Sequence, residues 1–199
     1  SMKIRVVLDI LGLMLVLLGL LMLIPGIVAA IYEEPAGVMA LGLSSLITIS
    51  AGLIMRRIGT KGEVTHREAF VIVAFAWLLA TIFGALPFIF LGLDKIDSLF
   101  ETMSGFTTTG ATILTESDLH GYWIINSTAA DNSLAHNLVN SLFNSLEGSL
   151  AGIGKISTPD SSINNYAEHT FYGLLFWRAF TQLLGGMSII LLFIAILPH

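Results

Sequence analysis

The sequence predicts an all-α integral membrane protein: two transmembrane helices, then one unit of helix, re-entrant loop and helix. Three observations predict it. The chain is 55% hydrophobic and only 12% charged, with a mean hydropathy of +0.85. A soluble domain carries about a quarter charged residues, so the expected solvent here is lipid. Four apolar segments reach the length of about 20 residues that a bilayer core requires. Between the third and fourth stands the stretch FETMSGFTTTGATI, small and polar where its neighbours are apolar.

The first segment, 6–31, carries one acid, Asp9, near its start. A secretory leader would have a shorter apolar core and a small-residue cleavage site, so a retained helix is expected. The second runs over 36–55, the third over 69–93 and the fourth over 171–197, the last containing Arg178. Pro25 and Pro87 lie near segment ends, where a lost backbone hydrogen bond is most easily replaced. Ser1 ahead of Met2 reads as a residue left by tag removal.

Basic residues set the expected orientation. Lys3 and Arg5 precede the first segment, and Arg56, Arg57, Lys61 and Arg67 cluster between the second and third. The other two connections carry only Lys95 and Lys155 against eleven acids, from Glu33 and Glu34 to Glu168. Positive residues stay on the cytoplasmic side, which puts the N-terminus and the 56–68 loop inside and the region 94–170 outside. The external acids would raise the local cation concentration, an effect that salt screens.

Residues 96–106 read as a short helix capped by Asp94 or Asp97, with Ile96, Leu99, Phe100 and Met103 at helical spacing. At about 1.5 Å per residue it crosses half a bilayer. A half-length helix followed by irregular polar chain is a re-entrant loop, tolerated at that depth only inside protein or along a water-filled path. In extended form, Thr107 to Thr112 would turn carbonyl oxygens toward a common axis, as a stripped monovalent cation requires. Gly110 supplies backbone freedom and the helix end near Phe106 supplies partial negative charge. The loop has no carboxylate, which disfavours calcium and magnesium. The competing reading is a Thr-rich turn or cap, making the loop a structural plug or docking site.

The motif FETMSGFTTTGATIL, with the later LLFWRAFTQLLGGMSIILLFIAILP and HREAFVIVAFAWLLATIFGALPF, resembles the membrane subunits of the Trk/Ktr/HKT potassium transporters. The resemblance implies a potassium-channel-like pore of four helix–loop–helix units, each giving one filter strand of backbone carbonyls, and a dimer of such subunits in the cell membrane. It implies Thr108, Thr109, Gly110 and Ala111 as carbonyl donors to potassium, framed by Thr107 and Thr112. Glycine at 110 implies potassium rather than sodium, since sodium-selective relatives can carry serine there. It further implies a cytoplasmic nucleotide-binding ring, TrkA-like, as regulatory partner, for which Arg56 to Arg67 is a candidate surface by topology.

This chain holds one such unit, so further units are expected from a longer chain or from other copies. The expected domains are a helix pair over 2–58 and a helix–loop–helix unit over 69–198, interrupted by an insert over 119–169. The insert carries His120, His136 and His169, an Asn126 sequon and a weak echo of the filter motif at 141–156. A helix on the outer face is expected over 134–146.

Arg178 in the last segment needs a partner, and Glu101 at similar depth is the candidate; the alternative is an arginine snorkelling to the interface. The pair would brace the filter rather than touch the ion. Gly185 and Gly186 point to close helix packing or to a hinge. Gly12, Gly19, Gly42 and Gly52 point to packing alone. No histidine and no Ser-His or Asp-Asp pair falls inside the four segments, so no enzyme, cofactor or nucleic-acid partner is expected.

Overall fold

The computed structural model describes residues 4–62, 64–114 and 171–196, with side chains as far as Ser188 and those of His66 and Arg67 excepted. The insert 119–169 lies outside the described residues, with its histidines, sequon, motif echo and expected 134–146 helix. Among the described residues all regular structure is helical.

Helices α1 (Ile4–Leu21) and α2 (Leu23–Ile31) form one 28-residue span that steps at Met22. Pro25 causes the step: it has no N–H for the Leu21 carbonyl and its ring crowds that oxygen. Helix α3 (Pro35–Ile58) returns antiparallel to α1. Helix α4 (His66–Gly84) begins at a capping box, in which the Thr65 N–H donates to Glu68 Oε2 at 3.0 Å. Pro87 produces a second step at Ala85, after which α5 (Leu86–Phe90) completes the 23-residue span Glu68–Phe90. Helix α6 (Lys95–Phe106) has 12 residues, about 18 Å and too short to cross. Helix α7 (Tyr172–Ile196) has 25 residues, about 37 Å and long enough to cross. Among the described residues, three spans are long and apolar enough to cross a membrane, and α7 stands where the fourth is expected.

Small residues set the helix spacing. A Cβ on Gly12 would lie 2.7 Å from the Gly52 carbonyl oxygen, and one on Gly52 would lie 2.7 Å from that of Gly12. Backbones therefore meet directly at this crossing, as is common where lipid supplies no hydrophobic drive between helices. Nearby, Ser45 Oγ donates to the Gly19 carbonyl at 2.6 Å, while Ser44 and Thr48 bond back to carbonyls four residues earlier on α3. Gly42 departs from the packing role expected of it, since nothing lies within 4 Å of an added Cβ.

The half-helix α6 begins where expected, and Asp94 is its cap: its side chain accepts from the Ile96 N–H at 2.9 Å. Its buried face is the surprise. Ser98, Glu101, Thr102, Ser104, Gly105 and Phe106 face the protein, while Ile96, Leu99, Phe100 and Met103 are exposed. Amphipathic spacing is present, but its apolar side points outward. Apart from Phe106 at its end, the inner side carries small or hydrogen-bonding side chains, where α6 lies against α4 and α7 at near-backbone distance. A Cβ on Gly84 of α4 would lie 2.8 Å from Thr102 Cγ2.

Replacing Gly52 by leucine is expected to separate α1 from α3 and destabilise the fold by about 1–3 kcal/mol, the usual range for overpacking. Gly42→Leu should be neutral. Thermal unfolding of both variants in the same detergent checks the contrast.

Candidate functional site

Three helices end the same way, and the differences locate the site. At the end of α5 the Gly92 N–H bonds to the Ile89 carbonyl and the Leu93 N–H to that of Phe88, both at 3.0 Å, with Gly92 at φ 100°. This is the Schellman arrangement, in which the left-handed position normally takes glycine. The end of α6 repeats it: Thr108 N–H to the Gly105 carbonyl at 2.9 Å and Thr109 N–H to that of Ser104 at 3.0 Å. The left-handed residue is now Thr108, at φ 56°. A β-branched residue there is strained by roughly 1–2 kcal/mol. The end of α2 is the third case, with Glu33 at φ 56°.

Thr107 to Thr109 are thus not extended, as expected from the sequence, but wound into the cap of α6. Their hydroxyls are used locally: Thr107 Oγ1 donates to the Met103 carbonyl at 2.7 Å and lies 2.8 Å from Thr109 Oγ1, and Thr108 Oγ1 donates to the Thr107 carbonyl at 2.7 Å. Gly110 follows at φ 75°, a second left-handed position, this time glycine. Thr107 to Ile113 are all exposed.

A buried carboxylate holds the returning arm. Glu101 is 0% exposed. Its Oε1 accepts from Thr112 Oγ1 at 2.7 Å, from the Ile113 N–H at 2.6 Å and, more weakly, from the Leu114 N–H at 3.3 Å. Its Oε2 accepts from Arg178 Nε at 2.7 Å. Arg178 and Glu101 therefore meet directly, and the arginine does not snorkel away. Arg178 Nη2 reaches on to the Ala111 carbonyl at 3.2 Å and to that of Gly110 at 3.5 Å, while Ser104 Oγ donates to the Ala111 carbonyl at 2.6 Å.

The carbonyls of residues 107–111 consequently differ. That of Ala111 takes two donors, that of Thr107 one, and that of Gly110 one long contact. Among the described residues no donor reaches the carbonyls of Thr108 and Thr109. Each free carbonyl oxygen offers two lone pairs to a cation or to water.

Gly185 and Gly186 separate in role. A Cβ on Gly185 would collide with the carbonyl oxygen of Phe106, the last residue of α6, and one on Gly105 would collide with Thr181 Oγ1. Gly186 would meet only Thr108 Cγ2, at 3.7 Å. The helix α7 runs unbroken through both. Sequence reasoning missed Gln182, whose Nε2 lies 3.7 Å from the Cβ position of Gly110. Its spacing of four from Arg178 was the available signal. It also missed Glu34, which meets the start of α7. Among the described residues no cluster of histidine and acids is able to hold a metal ion.

Gly185→Ala is expected to break the α6–α7 contact and abolish recovery of folded protein, whereas Gly186→Ala should fold and unfold as the parent does. The monodisperse yield in detergent and the unfolding temperature check both.

No family model and no solved structure matches the chain. Curated proteins do. The Trk system potassium uptake protein TrkH of Salmonella typhimurium is 33% identical over 204 residues, covering 99% of this chain and 31% of that protein. TrkH of Halomonas elongata is 38% identical over 127 residues, covering 59% and 25% respectively. The Trk system protein TrkG of Escherichia coli is 33% identical over 115 residues, covering 56% and 24%. The chain spans under a third of the length of the first of these relatives. By similarity running through its whole length, the chain belongs to the TrkH family of Trk potassium-transporter membrane subunits.

Proposed function

We propose that this chain supplies one wall of a cation filter in a potassium-transporting, channel-like pore. One observation carries the reading: a helix too short to span ends in an exposed loop whose carbonyls are partly unbonded, and a buried ion pair holds that loop from behind. The names of its relatives support potassium as the ion.

In this reading a weakly hydrated cation exchanges water for backbone oxygens. Thr108, Thr109 and Gly110 offer the least encumbered carbonyls, and that of Ala111 is the most tightly held. Thr107 and Thr112 frame them by hydroxyl contacts, and Glu101 with Arg178 fixes the arm without touching the ion. The strained Thr108 is held left-handed by its place in the cap of α6, so the loop geometry is set before an ion arrives.

The helix pair 2–58 is a support, and 69–198 is the pore unit. The remaining walls come from further units, in a longer chain or in other copies of a homo-oligomer. Orientation follows the basic residues, with the loop entered from outside and Arg57 and Lys61 facing the cytoplasm. There they are available to a TrkA-like nucleotide-binding ring.

Gly110→Ser in the full-length natural protein, expressed in cells that lack other potassium uptake, tests the reading. Potassium over sodium selectivity is expected to fall by about tenfold, equivalent to about 1.4 kcal/mol. Unchanged uptake and selectivity, with reduced stability alone, would identify the loop as a structural plug.

A further inference from the structure

Glu34 joins the N-terminal helix pair to the pore unit. Its Oε1 accepts from the Tyr172 N–H at 2.6 Å and its Oε2 from the Gly173 N–H at 3.1 Å. These are the first two residues of α7, whose initial N–H groups have no partner within the helix. A polar side chain just ahead of a helix normally meets them, but here the preceding residue is the buried Phe171. The partner is instead a carboxylate 138 residues away in sequence, and it suits the positive end of the helix dipole.

The contact is built in from both sides. Glu34 is 8% exposed, and a Cβ on Gly37 would lie 3.0 Å from its Oε2. Glu33, just before it, takes the left-handed conformation that ends α2, with the Glu34 N–H bonded to the Ala29 carbonyl at 2.9 Å. Tyr32 stacks on Tyr172 at 4.3 Å between ring centroids. A Cβ on Gly173 would lie 2.6 Å from that of Ala29, so α7 approaches α2 as closely as it can.

Farther along the same helix, Trp177 Nε1 donates to the Gly84 carbonyl at 2.9 Å, and Arg178 meets Glu101 and the Ala111 carbonyl. Arg178 is about 7.5 Å along the axis from Gly173, an interval over which a helix moves as a unit.

We infer that Glu34 is a positioning residue for the loop 107–114. Its carboxylate fixes the height and rotation of α7, and α7 thereby delivers Arg178 to Glu101 and to the Gly110 and Ala111 carbonyls. The N-terminal pair, which carries no part of the loop, thus tunes the loop through one side chain. This rests on the pore reading for its consequence in transport, but not for its structural content.

The test uses the full-length natural protein in lipid vesicles, with Glu34→Gln, which removes the charge, and Glu34→Asp, which retains it. Amide hydrogen exchange is followed at 172–178 and at 107–114, and rubidium uptake is measured against sodium. For Glu34→Gln, exchange should rise in both segments, and the KM for rubidium should increase on the order of fivefold, with Glu34→Asp closer to the parent. Faster exchange confined to 172–178, or an unchanged KM in folded protein, would overturn the inference and leave Glu34 as a helix cap. Should Glu34→Gln fail to fold, Glu34→Asp carries the test, since its shorter side chain lengthens both bonds: a smaller rise of exchange in both segments is expected, and a rise confined to 172–178 would overturn the inference. A parent whose selectivity survives Gly110→Ser would sink the pore reading, while the exchange data would still decide whether Glu34 controls the loop.

Discussion

The loop after α6 has little structure of its own beyond its first residues, and a single carboxylate supplies the rest. One oxygen of Glu101 gathers a hydroxyl and backbone N–H groups from residues 112–114, and the other takes Arg178 from α7. Without that carboxylate the Thr112 hydroxyl and the Ile113 N–H would lose their acceptor, and the Arg178 charge would lose its counterion. Either change is costly away from water. The same pair joins three parts of the chain: the half-helix, the returning arm and the last helix. The path of the arm and the placing of the Arg178 guanidinium against it follow from this pair.

Around this bond the fold obeys membrane rather than aqueous rules. The inward face of α6 is small and polar up to the buried Phe106, and Ile96, Leu99, Phe100 and Met103 point outward. In water such a helix would be inside out. In a membrane the apolar face is free to meet lipid or a further unit, and the inner face gains by letting backbones approach and by pairing buried polar groups. Gly105, Gly185 and Gly84 make that approach possible, and Ser98, Thr102 and Thr181 satisfy their hydroxyls on backbone carbonyls.

How much of this was legible in the sequence depends on the range of the signal. Spans over 4–31, 35–58 and 68–90 follow from hydropathy, and the Pro25 and Pro87 steps follow from a missing N–H, because both signals are local. The Asp94 cap and the length of α6 are local too. Glu101 and Arg178 could be paired from predicted depth, since an intramembrane charge needs a partner. The orientation of α6 could not be read, because spacing marks two faces without saying which meets protein. The cap at 107–109 was legible only as the competing reading, because threonine stands where glycine normally signals it. Glu34 left no trace, its partners being main-chain groups that any residue at 172 and 173 would supply. Gly185 and Gly186 look alike in sequence, and only the nearness of Phe106 separates them.

The most direct measurement is a double-mutant cycle on Glu101 and Arg178, unfolding Glu101→Gln, Arg178→Gln and the double variant by denaturant titration in mixed micelles. Direct pairing through the buried carboxylate predicts a coupling energy above about 1 kcal/mol, large for polar contacts in membranes. Additivity within about 0.5 kcal/mol would contradict it, because the two side chains would then act independently and the loop would have to be held by something else.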